Sequence, residues 1–197
     1  MRTLFHLLVV FGMFCTQAVT AGAAGQLFMA TAFVPTVSGT SMSAYKVTGG
    51  SPLLLNDVLF DFGTLEYDGT NHVWYAPSYF YITVAAIQGV SPNVKVSYVE
   101  VKNPNGNQSH ALGAKTVVTF TRLTATGQQN LMASHPTQAL KDIGLVTVTP
   151  DELGGDSLNI ALGIYTGSPT VPGAEPFTNS DTPGTYTGTL TVTSTVQ

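Results

Sequence analysis

The chain has 197 residues, a formal net charge of −4 and 9% charged residues, against roughly 25% in an average soluble domain. It carries no run of lysine or arginine, which argues against nucleic acid and anionic membrane surfaces as partners. Threonine, serine, asparagine and glycine replace the missing charges. We therefore expect a neutral, hydroxyl-rich surface, or one that is partly covered by another copy of the chain.

Residues 1–23 have the organisation of a cleavable signal peptide. Arg2 supplies a positive charge and residues 4–14 form an apolar run. Residues 21–23 match an A-x-A cleavage site, with residues 19–21 as a nearby alternative. The run is shorter than the roughly 20 residues of a membrane-spanning helix. We predict a protein that is secreted or held at the cell surface, without stable membrane insertion. Removal of the signal would also remove Cys15, the one cysteine, and with it any disulfide or thiolate site.

The rest of the chain reads as a succession of strands separated by proline, glycine and asparagine. The predicted strands are 27–34, 43–48, 53–67 with a bend at Asn56 and Asp57, 72–75, 79–87, 94–102, 116–123, 143–149, 158–165 and 184–196. Strands 94–102 and 116–123 flank the turn cluster 103–107, and we predict that they form a hairpin.

Three stretches do not read as strands. Residues 127–141 are the best helix candidate, but Pro136 interrupts them, so we predict one helical turn within a loop. Residues 150–156 are predicted to form a turn. Residues 167–183 carry four prolines and are predicted to be extended and irregular.

The last strand gives the clearest pattern. Every second residue from 185 to 195 is threonine, and the residues between are mostly apolar, so one face is hydroxylated and the other is suited to a core. The number and spacing of the strands predict an all-β protein. We expect an antiparallel β-sandwich of eight to ten strands and Greek-key type, forming one domain over residues 24–197.

Few residues suggest catalysis or metal binding. Asp151, Glu152 and Asp156 flank a glycine turn and are a candidate calcium site, although acidic turns are common without calcium. Asp57 and Asp61 could act as a carboxylate pair in a glycosidase, or lie on a solvated strand face. The sequence has no nucleophile elbow and no glycine-rich nucleotide loop, so we expect neither an enzyme nor a cofactor.

Histidines and aromatic residues have more than one interpretation. His72, His110 and His135 are far apart and lack metal-ligand spacing, so ordinary surface or edge positions are expected, and a zinc site assembled by the fold is the alternative. The aromatic stretch contains Trp74, Tyr75, Tyr79 and Tyr81. These rings could belong to the core, to an assembly interface or to a surface that stacks on sugars.

Three segments resemble one group of bacterial proteins. They are FDFGTL (60–65), LNIALGIYTG (158–167) and PGTYTGTLTV (183–192), in this order. Together they resemble spore coat protein U and related fimbrial, pilin-type secreted domains. Members of that family usually carry paired cysteines, which this chain lacks.

This resemblance implies an immunoglobulin-like pilin fold, a periplasmic chaperone or usher as partner, and assembly with other copies by donation of a strand. The segment 26–35 is the plausible donor, because it is apolar on both faces and precedes a serine- and glycine-rich stretch. It could equally be the first strand of its own sandwich. If the segment is donated to another copy, the interface would contain Leu27, Phe28, Met29, Phe33, Val34, Tyr186, Leu190 and Val192.

Two main functional hypotheses follow from the sequence. The first is a structural subunit of an extracellular fibre, pilus or surface coat. The alternative is a monomeric secreted module that binds a ligand, such as a glycan, through Trp74 and its neighbours. A hydrolase that acts through Asp57 and Asp61 ranks third.

Overall fold

The structure is a computed structural model that describes residues 28–33, 42–56, 59–100 and 110–195, with side chains for all of these except 28–33 and His110. The predicted signal peptide (1–23), Leu27, Val34 and Asp57 lie outside the described residues. Within the described part of the chain, the structure is almost entirely β.

Most strands belong to two sheets. Sheet A contains, from edge to edge, β13 (Leu145–Val148), β8 (Asn93–Glu100), β15 (Gly184–Thr195), β1 (Phe28–Phe33) and β4 (Leu59–Thr64), with β9 (His110–Ala111) also beside β15. Sheet B contains β11 (Gly127–Asn130), β10 (Thr116–Thr124), β14 (Ser157–Ile164), β7 (Ser78–Val84), β2 (Met42–Thr48) and β3 (Ser51–Leu54), with β12 (Gln138–Ala139) also beside β10. A separate hairpin pairs β5 (Glu66–Asp68) with β6 (Val73–Tyr75).

The two sheets share one hydrophobic core, to which alternate residues of each strand contribute. The ring of Phe80 from sheet B stacks on Phe60 and meets Phe62 edge-on, with both centroid distances 4.8 Å. Phe60 and Phe62 both lie on β4 in sheet A. The prediction of an all-β sandwich is confirmed.

Strand directions are mostly antiparallel. Two described pairs are parallel, β1 with β15 and β9 with β15. The described residues form fifteen strand segments rather than eight to ten, because several predicted strands are interrupted. The predicted strand 53–67 is one of these. β3 ends at Leu54, just before the bend predicted at Asn56 and Asp57, and the chain continues as β4 and β5.

The predicted hairpin between 94–102 and 116–123 is wrong. β8 pairs with β13 and β15 in sheet A, whereas β10 pairs with β11, β12 and β14 in sheet B. Both strands alternate buried and more exposed residues, so either sheet satisfies their pattern. The pattern therefore determines which face of each strand is buried, but it does not determine which strand lies beside it.

The helical turn predicted in 127–141 is confined to a 3₁₀ turn at Leu140–Asp142. The start of that stretch is β11, which forms a hairpin with β10 and is closed by a hydrogen bond from the Thr124 hydroxyl to the Gly127 carbonyl (2.8 Å). A second short helix, α1 (Pro150–Leu153), lies within the predicted turn 150–156.

Candidate functional site

The last strand, β15, has a buried face and a more exposed face, as its alternating sequence predicts. Tyr186, Leu190 and Val192 are at most 4% exposed. The threonines at the alternating positions from 185 to 195 are half-buried or exposed. The apolar face of β15 is thus part of the shared core.

β1 fills a gap between β15 and β4. It pairs in parallel with β15, from Phe28 opposite Gly184 to Phe33 opposite Thr189. On its other side it pairs antiparallel with β4, where Phe33 lies opposite Leu59. Among the described strands, β15 and β4 do not pair with each other, so β1 supplies backbone partners to both. We call this gap the β1 slot.

The β4 wall of the slot is anchored by its own core contacts. Phe60 is fully buried and Phe62 is 2% exposed, and both pack on Phe80 of the opposite sheet. Lys46, on β2, also donates a hydrogen bond from Nζ to the Asp61 carbonyl (3.2 Å). These contacts tie β4 to strands of sheet B, without involving β1.

A β-bulge sets the register on the β4 side. Ala30 lies opposite Gly63 and the next residue of β1 lies opposite Asp61, so the pairing skips Phe62. Gly63 has a φ of 73°, which L side chains rarely adopt, and it donates its N–H to Asp61 Oδ1 (2.8 Å). The bulge fixes the point at which a strand in the slot must shift its pairing.

The residues predicted for a subunit interface fall in different places. The backbone of Phe28, Met29 and Phe33 lies in β1. Leu190 and Val192 lie beyond the last β1 pair, opposite β8, and are fully buried in the core of this chain.

Tyr186 lies within the slot register, opposite Ala30. Its ring meets Phe177 edge-on at 4.7 Å, and its hydroxyl donates to the Thr182 carbonyl (2.9 Å). Burial, reinforced by the charge of Asp181, raises the pKa of Tyr186 to about 12. This side chain therefore ties the start of β15 to the loop before it.

The four predicted ligand aromatics do not form one platform. Trp74 is 6% exposed and donates from Nε1 to Asn179 Oδ1 (3.1 Å), so it belongs to the core. Tyr79 and Tyr81 lie on the outer face of β7, where Tyr81 stacks on Tyr45 at 4.7 Å. Tyr75 lies elsewhere, on β6.

Tyr75 lines a groove beside the β5–β6 hairpin. The groove has a volume of about 710 Å³ and lies between the hairpin and the chain after β14. Its walls are formed by Tyr67, Asp68, Gly69, Asn71, Val73, Tyr75, Ala76, Thr166 and Ser168. We call it the β5–β6 groove. Tyr67, Asp68 and Asn71 did not stand out in the sequence, although Asp68-Gly69 is a turn signal that predicts a hairpin there.

The loop 167–183 is fixed to the sandwich by a buried lysine. Lys115 is 8% exposed, and its Nζ lies 2.6 Å from Asp181 Oδ1 and donates to the Pro176 carbonyl (3.1 Å). The same ammonium lies 5.4 Å from the ring centroid of Phe177. The backbone carbonyl of Phe177 accepts a hydrogen bond from the backbone N–H of Trp74 (2.9 Å). No local sequence pattern distinguishes Lys115 from the other lysines.

The three carboxylates of the candidate calcium site face different partners. Glu152 lies 3.0 Å from His135 Nε2, and Asp156 lies 3.3 Å from Arg122 Nε. Asp151 is exposed on α1. No group of three or more metal-ligating side chains is found within the described ranges.

The remaining candidates are also dispersed. His72 hydrogen-bonds through Nδ1 to the Tyr67 hydroxyl (3.1 Å), His135 packs against Phe120, and His110 is described by its backbone in β9. Asp61 serves the bulge of β4, while its proposed partner Asp57 lies outside the described residues.

Comparison of the whole chain with protein-family models and with curated proteins gives no match. Among the described residues, the helices are too short to cross a bilayer. The geometry of the β1 slot and of the β5–β6 groove therefore carries the functional argument.

Proposed function

We propose that this protein is a structural subunit of an extracellular fibre, pilus or surface coat. In this proposal the chain is exported through a cleaved signal peptide, and β1 of one copy occupies the β1 slot of the next. The observation that carries the proposal is the position of β1, which bridges two strands that do not pair with each other.

Backbone pairing gives such a contact its affinity. β1 pairs along both edges, with six residue pairs to β15 and five to β4. An extended segment that adds to exposed strand edges in this way is a recurrent mode of recognition between proteins. Because every pair uses backbone groups, an identical β1 from another copy can make the same pairs.

The chain between β1 and β2 allows this exchange. Eight residues, 34–41, connect Phe33 to Met42, and they include Ser38, Gly39, Thr40 and Ser41. Eight extended residues span roughly 26–29 Å. A linker of this length can place β1 in its own slot or reach toward that of a neighbour, which is the geometry of strand exchange.

The contact would produce a filament rather than a closed pair. A strand of one copy and a slot of another are different surfaces, so the contact is heterologous and repeats without closing unless its rotation completes a ring. A copy whose slot is empty would expose the edges of β15 and β4, which invites aggregation. A chaperone or usher that covers the slot during export is therefore part of the proposal.

Removal of β1 tests the proposal. Residues 24–197 and a version that begins at Val37 would be compared by gel filtration and negative-stain microscopy after refolding. We expect fibres from the longer form, and from the shorter form a species that forms a one-to-one complex with a peptide of residues 26–35 but not with its scrambled sequence. A longer form that stays monomeric, together with a peptide that does not bind, would overturn the proposal.

A further inference from the structure

We propose that the β5–β6 groove binds a neutral oligosaccharide. This binding site is separate from the β1 slot, because its walls come from the β5–β6 hairpin and from the chain after β14. Its volume of about 710 Å³ falls within the roughly 300–1,000 Å³ of small-molecule sites.

Two tyrosines give the groove its aromatic surface. The Tyr75 hydroxyl donates to Glu66 Oε2 (2.7 Å), and the Tyr67 hydroxyl hydrogen-bonds to His72 Nδ1 and accepts from Asn179 Nδ2 (3.4 Å). These contacts hold both rings in place before a ligand arrives, which lowers the entropy cost of binding. Both residues are half-buried, and a tyrosine ring combines an apolar face, suited to the C–H face of a sugar, with a polar edge.

Asp68 gives the groove an oriented acceptor for sugar hydroxyl groups. Its Oδ1 accepts from the Thr70 N–H (2.8 Å) and its Oδ2 from Asn71 Nδ2 (2.6 Å). The Asn71 N–H also donates to Oδ1 (3.2 Å). An ionised carboxylate has about four acceptor sites, so about one site, on Oδ2, is left for a sugar hydroxyl group. The Asn71 side chain and the Thr70 and Asn71 N–H groups hold the pKa of Asp68 below its ordinary value, which keeps it an acceptor over a wide pH range.

The charge of the groove selects the ligand class. Of the nine described residues that line it, Asp68 is the only ionisable acid or base apart from the tyrosines. A carboxylate without a lysine or arginine beside it repels phosphate, sulfate and uronate groups. The combination of aromatic rings, amide and hydroxyl groups and one carboxylate therefore fits a neutral, hydroxyl-rich ligand.

The opposite wall of the groove is also held in place. Thr166 directly precedes the loop 167–183 and Ser168 lies in it, and Lys115 fastens this loop through Asp181 and Pro176. The hydrogen bond from Trp74 to the Phe177 carbonyl joins the same loop to β6. Both walls of the groove are thus tied to the sandwich, as expected for a pre-formed site.

Calorimetric titration of residues 24–197 tests this binding. The neutral probes are cellohexaose, maltohexaose and mannohexaose, and a heparin hexasaccharide is the anionic probe. We expect at least one neutral probe to bind and the heparin probe not to bind. Tyr75→Ala should raise the Kd about tenfold, which corresponds to roughly 1.4 kcal/mol. Thr166→Trp should do the same by filling the groove.

Two variants serve as matched controls. Tyr79→Ala removes an exposed tyrosine on another face. Thr170→Trp adds a tryptophan ring four residues further along the chain, at a position that does not line the groove. Both should change the Kd by less than about twofold. Thr166→Trp replaces an exposed residue, so it keeps the test decisive if Tyr75→Ala does not fold. Absence of binding by all neutral probes, preferential binding of heparin, or equal losses in the controls would overturn the proposal.

Discussion

The ring of Tyr98 occupies the space that a side chain at Gly188 would need. Tyr98 lies on β8 and reaches across β15, where its hydroxyl donates to Glu100 Oε2 (2.9 Å). Glu100 in turn accepts the Gly113 N–H through Oε1 (3.0 Å). Gly188 lies opposite Ala32 of β1, so this close approach adjoins the β1 slot.

Gly188→Ala should therefore destabilise the protein by about 1–3 kcal/mol, the usual cost of overpacking a core. Urea unfolding of the two proteins measures the difference. Gly163→Ala is the matched control, because its new methyl group would meet nothing nearer than the Tyr79 Cβ at 3.9 Å. In a Tyr98→Leu background the cost of Gly188→Ala should fall below about 1 kcal/mol. An undiminished cost there would show that Tyr98 is not the cause.

Alkaline pH should weaken the fold through its buried tyrosines. Burial is the main cause that raises the pKa of Tyr186 to about 12, and burial also raises the pKa of Tyr98. A raised pKa in the folded state means that stability is complete below the unfolded value near 10 and is lost as the pH rises toward 12. Urea unfolding between pH 8 and pH 12 measures this loss.

Tyr186→Phe separates the two contributions of this residue. It should cost about 1 kcal/mol at neutral pH through the lost hydrogen bond to Thr182. It should also flatten the decline above pH 10, because phenylalanine does not titrate. A decline as steep as that of the unchanged protein would contradict the assignment.

Acidic pH should weaken the fold near α1. Burial acts to raise the pKa of Glu152, but hydrogen bonds from Thr149 and Ser134 and the charge of His135 outweigh it and lower the pKa. A lowered folded pKa gives stability that is complete above the unfolded value near 4.5 and is lost as the pH falls below it. Glu152→Gln keeps a capping side chain and should reduce the part of the free energy of unfolding that is lost at acidic pH. Asp151→Asn, at the exposed neighbouring position, should not reduce it. Equal acid slopes in unfolding curves for Glu152→Gln and the unchanged protein would refute this.

We expect the ion pair of Lys115 and Asp181 to be the main contact that anchors the loop 167–183 to the sandwich. Lys115→Met leaves the mostly buried Asp181 without its ammonium and should cost about 3 kcal/mol in urea unfolding. It should also speed proteolysis within 167–183. Lys95→Met, at an exposed position on β8, should cost less than about 0.5 kcal/mol. Similar losses in both variants would mean that the ion pair does not anchor the loop.

The sequence predicts the strands well because their period of two follows from burial of one face. The alternation of β15 and the break at Pro77 between β6 and β7 are examples. The choice of neighbouring strand follows from contacts between distant residues, so the sequence alone wrongly predicts one hairpin for β8 and β10. The helix α1 had a readable signal, since Thr149-Pro-Asp-Glu152 is a capping box with proline at the first helical position.

The candidate sites were less predictable than the fold. Trp74 stood out as an aromatic residue, but its indole is turned into the core, and Tyr75 lines the groove instead. Tyr67, Asp68 and Thr166 meet there although about a hundred residues separate the hairpin from Thr166. No local sequence pattern predicts that these residues line one groove, because tertiary packing alone brings the two segments together.

Cysteine cross-linking tests the proposed strand exchange most directly. Thr31 and Thr187 are Cα partners across β1 and β15, so Thr31→Cys with Thr187→Cys can form a disulfide in whichever copy supplies β1. Residues 24–197 contain no other cysteine. Thr31→Cys with Thr193→Cys is the control, because Thr193 lies opposite Lys95, beyond the slot. We predict a ladder of covalent oligomers on a non-reducing gel for the first pair and none for the second. A cross-linked monomer without a ladder would contradict assembly by strand addition.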